Sequence, residues 1–293
     1  MKKKSSLDLA VLATLFAIFL TSSFDLVGSI KVMGFTIRTV YLFVLFGAGL
    51  TLHRWIRQKE LILPEGFLFL GIWTVMILAF VPNSPFVIRN VGYGAWLLLN
   101  VATIFFVVNF MNRDNMEVFI RVYLVSFFAL SLLGVVQYIT PQIGLPPLVV
   151  EQWWVPHVLP RVNAFTYEPS FFATYLLFGI PAMLILLARG NFAGIPKWLY
   201  YTMLVVDVTA LMLCSSRMGI FLFLVFLAGF VVYVMVRWIR ERKLGLHLAM
   251  SFAAPLFVTA SVLLIMDMRL RQLNKDVGSA FYLNDTGWME KDI

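Results

Sequence analysis

Charge is what this sequence has least of. Only 13% of its 293 residues are Asp, Glu, Lys or Arg, against 61% hydrophobic residues and 28 Phe, and the mean hydropathy is +0.89. That balance excludes an ordinary soluble globular domain and places the chain in a bilayer. Cysteine is nearly absent as well. Cys214 stands alone, so no internal disulfide and no Cys-based metal or redox spacing exists, and a small packing residue is its plain reading. Histidine is almost as scarce: His53 and His247 fall at helix ends, leaving His157, in WWVPHVLPR, as the one histidine of an outer loop. Packing or hydrogen bonding is its plain role, and catalysis the alternative. The outer carboxylates Asp25, Glu151, Glu168 and Asp267 make no close pair, and no ligand spacing suits a metal, so neither a metal nor another cofactor is expected. A P-loop and a G-x-S-x-G elbow are both missing, which removes the signatures of ATP-driven transport and of α/β-hydrolase chemistry.

What the chain has instead is a succession of apolar runs. A spanning helix needs about 20 mostly apolar residues, and runs of that kind cover residues 7–24, 36–53, 65–81, 93–111, 118–137, 169–188, 198–214, 217–236 and 246–266. The opening MKKKSSLDLAVLATLFAIFLTSSF has a basic start and an apolar core but no convincing cleavage site, and reads as a first helix rather than a signal peptide. The expected fold is therefore an all-α integral membrane bundle of about nine transmembrane helices over residues 1–266, with residues 267–293 as an extracytoplasmic tail. The net charge of +8 is scattered over the ends of the apolar runs, so topology accounts for it better than nucleic acid does. With the lysines at positions 2–4 inside, the clusters MKKKSS, HRWIRQKE, NRDNME, RGNFAGIPK and RWIRERK all fall on the cytoplasmic side. The N-terminus is then cytoplasmic, and the loop 138–168 lies on the outer face.

That loop is the longest connection between spans. It carries Trp153, Trp154 and several prolines, and is expected to be irregular and anchored at the interface by its aromatics. Its end reads as a helix start, with Glu168 at the N-cap, Pro169 in the first helical position and Ser170 following. Pro181 and Pro255 lie within spans, where proline kinks a helix and frees a carbonyl.

Charges kept beside or inside apolar runs are costly, about 2.5 kcal/mol or more at bilayer depth, and each needs a reason. Arg217 opens a span directly after Ser215 and Ser216. An arginine facing the positive end of a helix dipole is mildly unfavourable unless an anion sits between them, and two hydroxyls, free amides and a guanidinium make a phosphate seat. Snorkelling to lipid headgroups is the alternative. Arg161 and Glu168, on the same outer face, read either as a loop-fixing ion pair or as an anion clamp with a carboxylate that orients a sugar hydroxyl or the arginine. Asp207 lies inside a span and reads as a link between helices, whereas Arg121, near a cytoplasmic helix end, reads as snorkelling.

Two segments then carry a likeness. An outer loop ending in RVNAFTYEPS, with Arg, a small residue and Glu-Pro-Ser in R-x-x-[G/A]-x-x-x-E-P-S order, is followed two spans later by SSRMG. This arrangement resembles the O-antigen ligase and polymerase superfamily. The resemblance implies a metal-independent, GT-C-type membrane glycosyltransferase of surface polysaccharide assembly. It would act at the outer face of the plasma (inner) membrane, moving glycan from a polyprenyl diphosphate carrier to a sugar or lipid-linked acceptor. It further implies that Arg161 and Arg217, with Ser215 and Ser216, hold the carrier diphosphate and that Glu168 stands near the acceptor. Family members run on through a large outer loop bearing a histidine and then further spans. Residues 267–293 correspond to the start of that loop, which sets the expectation of a shortened member or of a partner polypeptide that completes it. A transporter of lipid-linked glycans and a non-catalytic membrane subunit are the competing classes.

Overall fold

A computed structural model describes residues 6–32, 35–82, 87–146, 148–149, 152–155 and 159–241, with 249, 253, 255–261, 263–264 and 267 beyond them. Helix dominates. Five helices are long and apolar enough to cross a membrane: Thr39–Gln58, Asn90–Phe110, Met116–Gln142, Pro169–Ala188 and Arg217–Arg240. In chain order the helices are α1 (Ser6–Thr21), α2 (Thr39–Gln58), α3 (Phe67–Phe80), α4 (Val87–Phe110), α5 (Met116–Gln142), α6 (Pro169–Ala188), α7 (Lys197–Leu213) and α8 (Arg217–Glu241). They follow the first eight apolar runs, but α1, α3 and α7, with 16, 14 and 17 residues, fall short of the five in length. Most of the ninth run, 246–266, and the tail lie outside the described residues.

Two short antiparallel hairpins accompany the helices. Strands β1 (Ile30–Val32) and β2 (Phe35–Ile37) pair between α1 and α2. Strands β3 (Gln152–Val155) and β4 (Leu159–Arg161) pair Gln152 with Arg161 and Trp153 with Pro160. The second hairpin occupies part of the loop expected to be irregular, and α5 runs on to Gln142, five residues past the expected end at 137.

The chain divides into two compact units. The first contains residues 1–130, 165–167 and 192–196. Its core gathers Val11, Leu15 and Ile18 of α1 with Val44 of α2, Phe106 of α4 and Phe119 of α5. Asn109 ties α4 to the segment before α3, accepting the Ile62 N–H at 2.9 Å and donating to the Ile62 carbonyl at 3.0 Å. Arg121 finds protein partners in addition to any reach for the interface: it donates to the Ala193 carbonyl at 2.9 Å and pairs with Glu117 at 3.9 Å. In the same unit the Asp25 and Leu26 N–H groups donate to the Phe165 carbonyl, and Asp25 lies 3.0 Å from Arg38. Burial pushes the Asp25 carboxyl above its ordinary range, a tendency that Arg38 and the Tyr167 N–H oppose without cancelling it.

The second unit contains residues 131–164, 168–191 and 197–293. Here α6 packs on α7 and α8, burying Phe172, Leu176, Ile180, Met183 and Leu187. Pro181 sits inside a continuous α6. The Tyr200 hydroxyl, fully buried on α7, donates to the Met183 carbonyl at 2.8 Å, so a phenol rather than water satisfies that polar group. Asp207 of α7 is also fully buried, and neither of its carboxylate oxygens has a hydrogen-bond partner among the described residues.

Candidate anion-binding site

The second unit brings together the residues that the sequence marks on either side of α6 and α7. At the end of α7 the chain reverses through Cys214 and Ser215. The Ser215 N–H donates to the Met212 carbonyl at 3.0 Å, and Ser215 itself takes a left-handed backbone with φ +51°, a conformation costly for a residue with a Cβ. Ser216 then caps α8: its hydroxyl oxygen accepts the Gly219 N–H at 3.2 Å, as an N-cap serine does for the third helical residue. Both serines are buried. The Ser215 hydroxyl has no hydrogen-bond partner among the described residues, so one buried donor remains at the mouth of α8.

Arg161 reaches this turn from β4. Its Nε donates to the Cys214 carbonyl at 3.3 Å, while the next residue, Val162, donates its N–H to the Leu213 carbonyl at 3.2 Å. These two bonds lay the loop along the α7–α8 turn, which places Arg161 beside Ser215 and Arg217. Burial pushes the Arg161 guanidinium below its ordinary range, Cys214 and Glu168 oppose the shift, and Arg217 adds to it. An arginine stays protonated through such a shift. With Arg161 bonded to the Cys214 carbonyl and Arg217 three residues further on, two cations stand at one turn, and an anion between them would relieve their repulsion.

Glu168 stands at the N-cap of α6 with an extended backbone, φ −132° and ψ 147°, and Pro169 takes the first helical position. Its side chain does not cap the helix. One carboxylate oxygen instead accepts the Ser170 hydroxyl at 2.9 Å, and the exposed group acts electrostatically on Arg161. The openings of α6 and α8 lie side by side because Gly219 has no side chain: a Cβ there would stand 2.7 Å from the Ala173 Cβ. The positive ends of two helix dipoles thus join two arginines, and Glu168 places a carboxylate beside them.

Arg161, Glu168, Ser215, Ser216 and Arg217 are therefore gathered in one place, with Ser216 serving the helix rather than standing open. His157 lies outside the described residues. Among the described residues no group of three or more His, Cys, Asp or Glu is placed to hold a metal ion. Two contributors stand in the quoted motifs without a role read from the sequence, and a third was not singled out at all. Gly219 makes room for α6. Ala164, in the Gly/Ala slot of the loop motif, has φ +47°. Gln137 binds the loop from α5, and its one outward sign was an amide inside the apolar run GVVQYIT. No family model matches the chain, and no curated protein or solved structure matches it.

Proposed function

We propose that this protein is an integral-membrane glycosyltransferase of surface polysaccharide assembly, transferring glycan from a polyprenyl diphosphate carrier to a sugar or lipid-linked acceptor at the outer face of the plasma membrane. The observation that carries the reading is the meeting of Arg161 with the Cys214–Arg217 turn at the paired openings of α6 and α8. In this reading an acceptor hydroxyl oxygen bonds to the anomeric carbon as the bond from that carbon to the diphosphate oxygen breaks. The electron pair leaves with the diphosphate, where Arg161, Arg217 and the Ser215 hydroxyl meet the charge that develops. The hydroxyl proton goes to Glu168, the carboxylate at the opening of α6. A transporter would use Asp207 along an open path, but Asp207 is fully enclosed in the second unit, which favours the transferase.

Arg161→Ala and Arg217→Ala each remove a charge that is worth most in the transition state. Each is expected to lower transfer from a polyprenyl diphosphate-linked glycan to acceptor by on the order of a hundredfold, at unchanged protein level in the membrane. Normal transfer by both variants would sink the reading.

A further inference from the structure

We infer that Gln137, on α5 and remote in sequence from both motifs, is the residue that positions Arg161, through a three-bond clamp on the loop that carries it. The backbone N–H groups of Asn163 and Ala164 both donate to Gln137 Oε1, at 3.3 and 2.9 Å, and Gln137 Nε2 donates to Asn163 Oδ1 at 2.7 Å. Two backbone amides can only donate, so the amide oxygen must face them, and the nitrogen is left for the Asn163 oxygen. Gln137 and Asn163 are both buried, at 6% and 0% exposure, where an unmade bond is expensive. One turn earlier on α5, Gly134 brings the helix close to the same loop: a Cβ there would stand 2.8 Å from Val162 and 3.0 Å from Phe172. The other edge of the loop is tied to the α7–α8 turn through Val162 and Arg161. Residues 161–164 are thus a strap bonded on both edges, and Arg161 is the end that reaches the anion site. Ala164 is held in its left-handed conformation by the same clamp. Without Gln137 the strap keeps its bonds to the turn but loses the three that hold its other edge to α5.

The assignment of Gln137 rests on the diphosphate reading of the site, and the two are separable by experiment. The full chain, purified in detergent, is titrated with inorganic pyrophosphate at fixed ionic strength. In parallel, the reaction of its one cysteine, the buried Cys214, with a maleimide is timed. Gln137→Leu is expected to weaken pyrophosphate binding by on the order of tenfold, toward the level of Arg161→Ala, because a misplaced ligand loses most of its worth. Gln137→Glu keeps the side-chain length and, held protonated by its burial, offers a carbonyl to both backbone N–H groups and a hydroxyl donor to Asn163 Oδ1, and is expected to stay within about threefold of the unaltered protein. Cys214 should label faster in Gln137→Leu than in the unaltered chain or in Gln137→Glu. Pyrophosphate binding unchanged in Gln137→Leu, with Arg161→Ala impaired, overturns the role of Gln137 and leaves the site standing. If the unaltered chain binds no pyrophosphate, the diphosphate reading falls. The clamp is then judged by Cys214 alone: faster labelling confined to Gln137→Leu supports it, and equal rates in all three overturn it.

Discussion

Ala164 shows at the scale of one residue how the loop is specified. Its φ of +47° is a left-handed conformation that costs an L-residue roughly 1–2 kcal/mol and costs glycine little. The bonds from Gln137 hold it there, so the cost is met by the clamp. Ala164→Gly removes the strain but adds freedom to the unfolded chain and deletes a fully buried methyl group, worth about 0.8 kcal/mol, so the net change is expected to stay within about 0.5 kcal/mol of zero. A thermal unfolding midpoint of the detergent-solubilised protein close to the parent's would show it, and a fall as large as a typical core truncation would count against the account. The arginines of the site were legible in the sequence because a charge beside an apolar run is costly and has few explanations. Ala164 and Gln137 were not. An alanine fits any backbone setting on paper, and one amide in an apolar span has no stated partner until the loop folds against it.

Among the elements, the α6–α8 contact decides the shape of the site. The start of α6 was readable from its cap, Pro169 after Glu168, and that of α8 from the apolar run opening at Arg217, whereas Ser216 read as part of an anion seat and proved to be the cap. Their closeness was not readable, because caps say where a helix begins and nothing of which neighbour it faces. Gly219 supplies that closeness, and its substitution is a direct test. Gly219→Ala places a methyl group 2.7 Å from the Ala173 Cβ. It is expected to cost about 1–3 kcal/mol and to weaken pyrophosphate binding as the helix openings part. Combining it with Ala173→Gly returns the space, so the double variant should recover both stability and binding. Stability equal to the parent in the single variant would show that the contact is slack. The β3–β4 hairpin teaches a similar lesson. Its prolines and tryptophans pointed to an interfacial loop, but strand pairing depends on register across the turn, which composition does not carry.

For the whole molecule, the proposed orientation puts residues 138–168 outside and the basic clusters inside. The chain's own cysteine is buried, so introduced thiols report cleanly. Tyr167→Cys, at a position 62% exposed, should label with a membrane-impermeant maleimide in intact cells, whereas Asn191→Cys should label only after permeabilisation. The reverse pattern would invert the topology and move the anion site to the cytoplasmic face. Composition and the spacing of apolar runs were enough to define a helical membrane protein and the approximate extent of its helices. Dehydrating a backbone in lipid leaves it little choice but helix, and the needed length is set by the bilayer. The gathering of Arg161, Glu168, Ser215 and Arg217 came only with the tertiary structure. It depends on two glycines that let α5 and α6 be approached closely, and on an amide of α5 bonding a loop about 26 residues further along. Such contacts join side chains distant in sequence, and no local period or motif spacing records them.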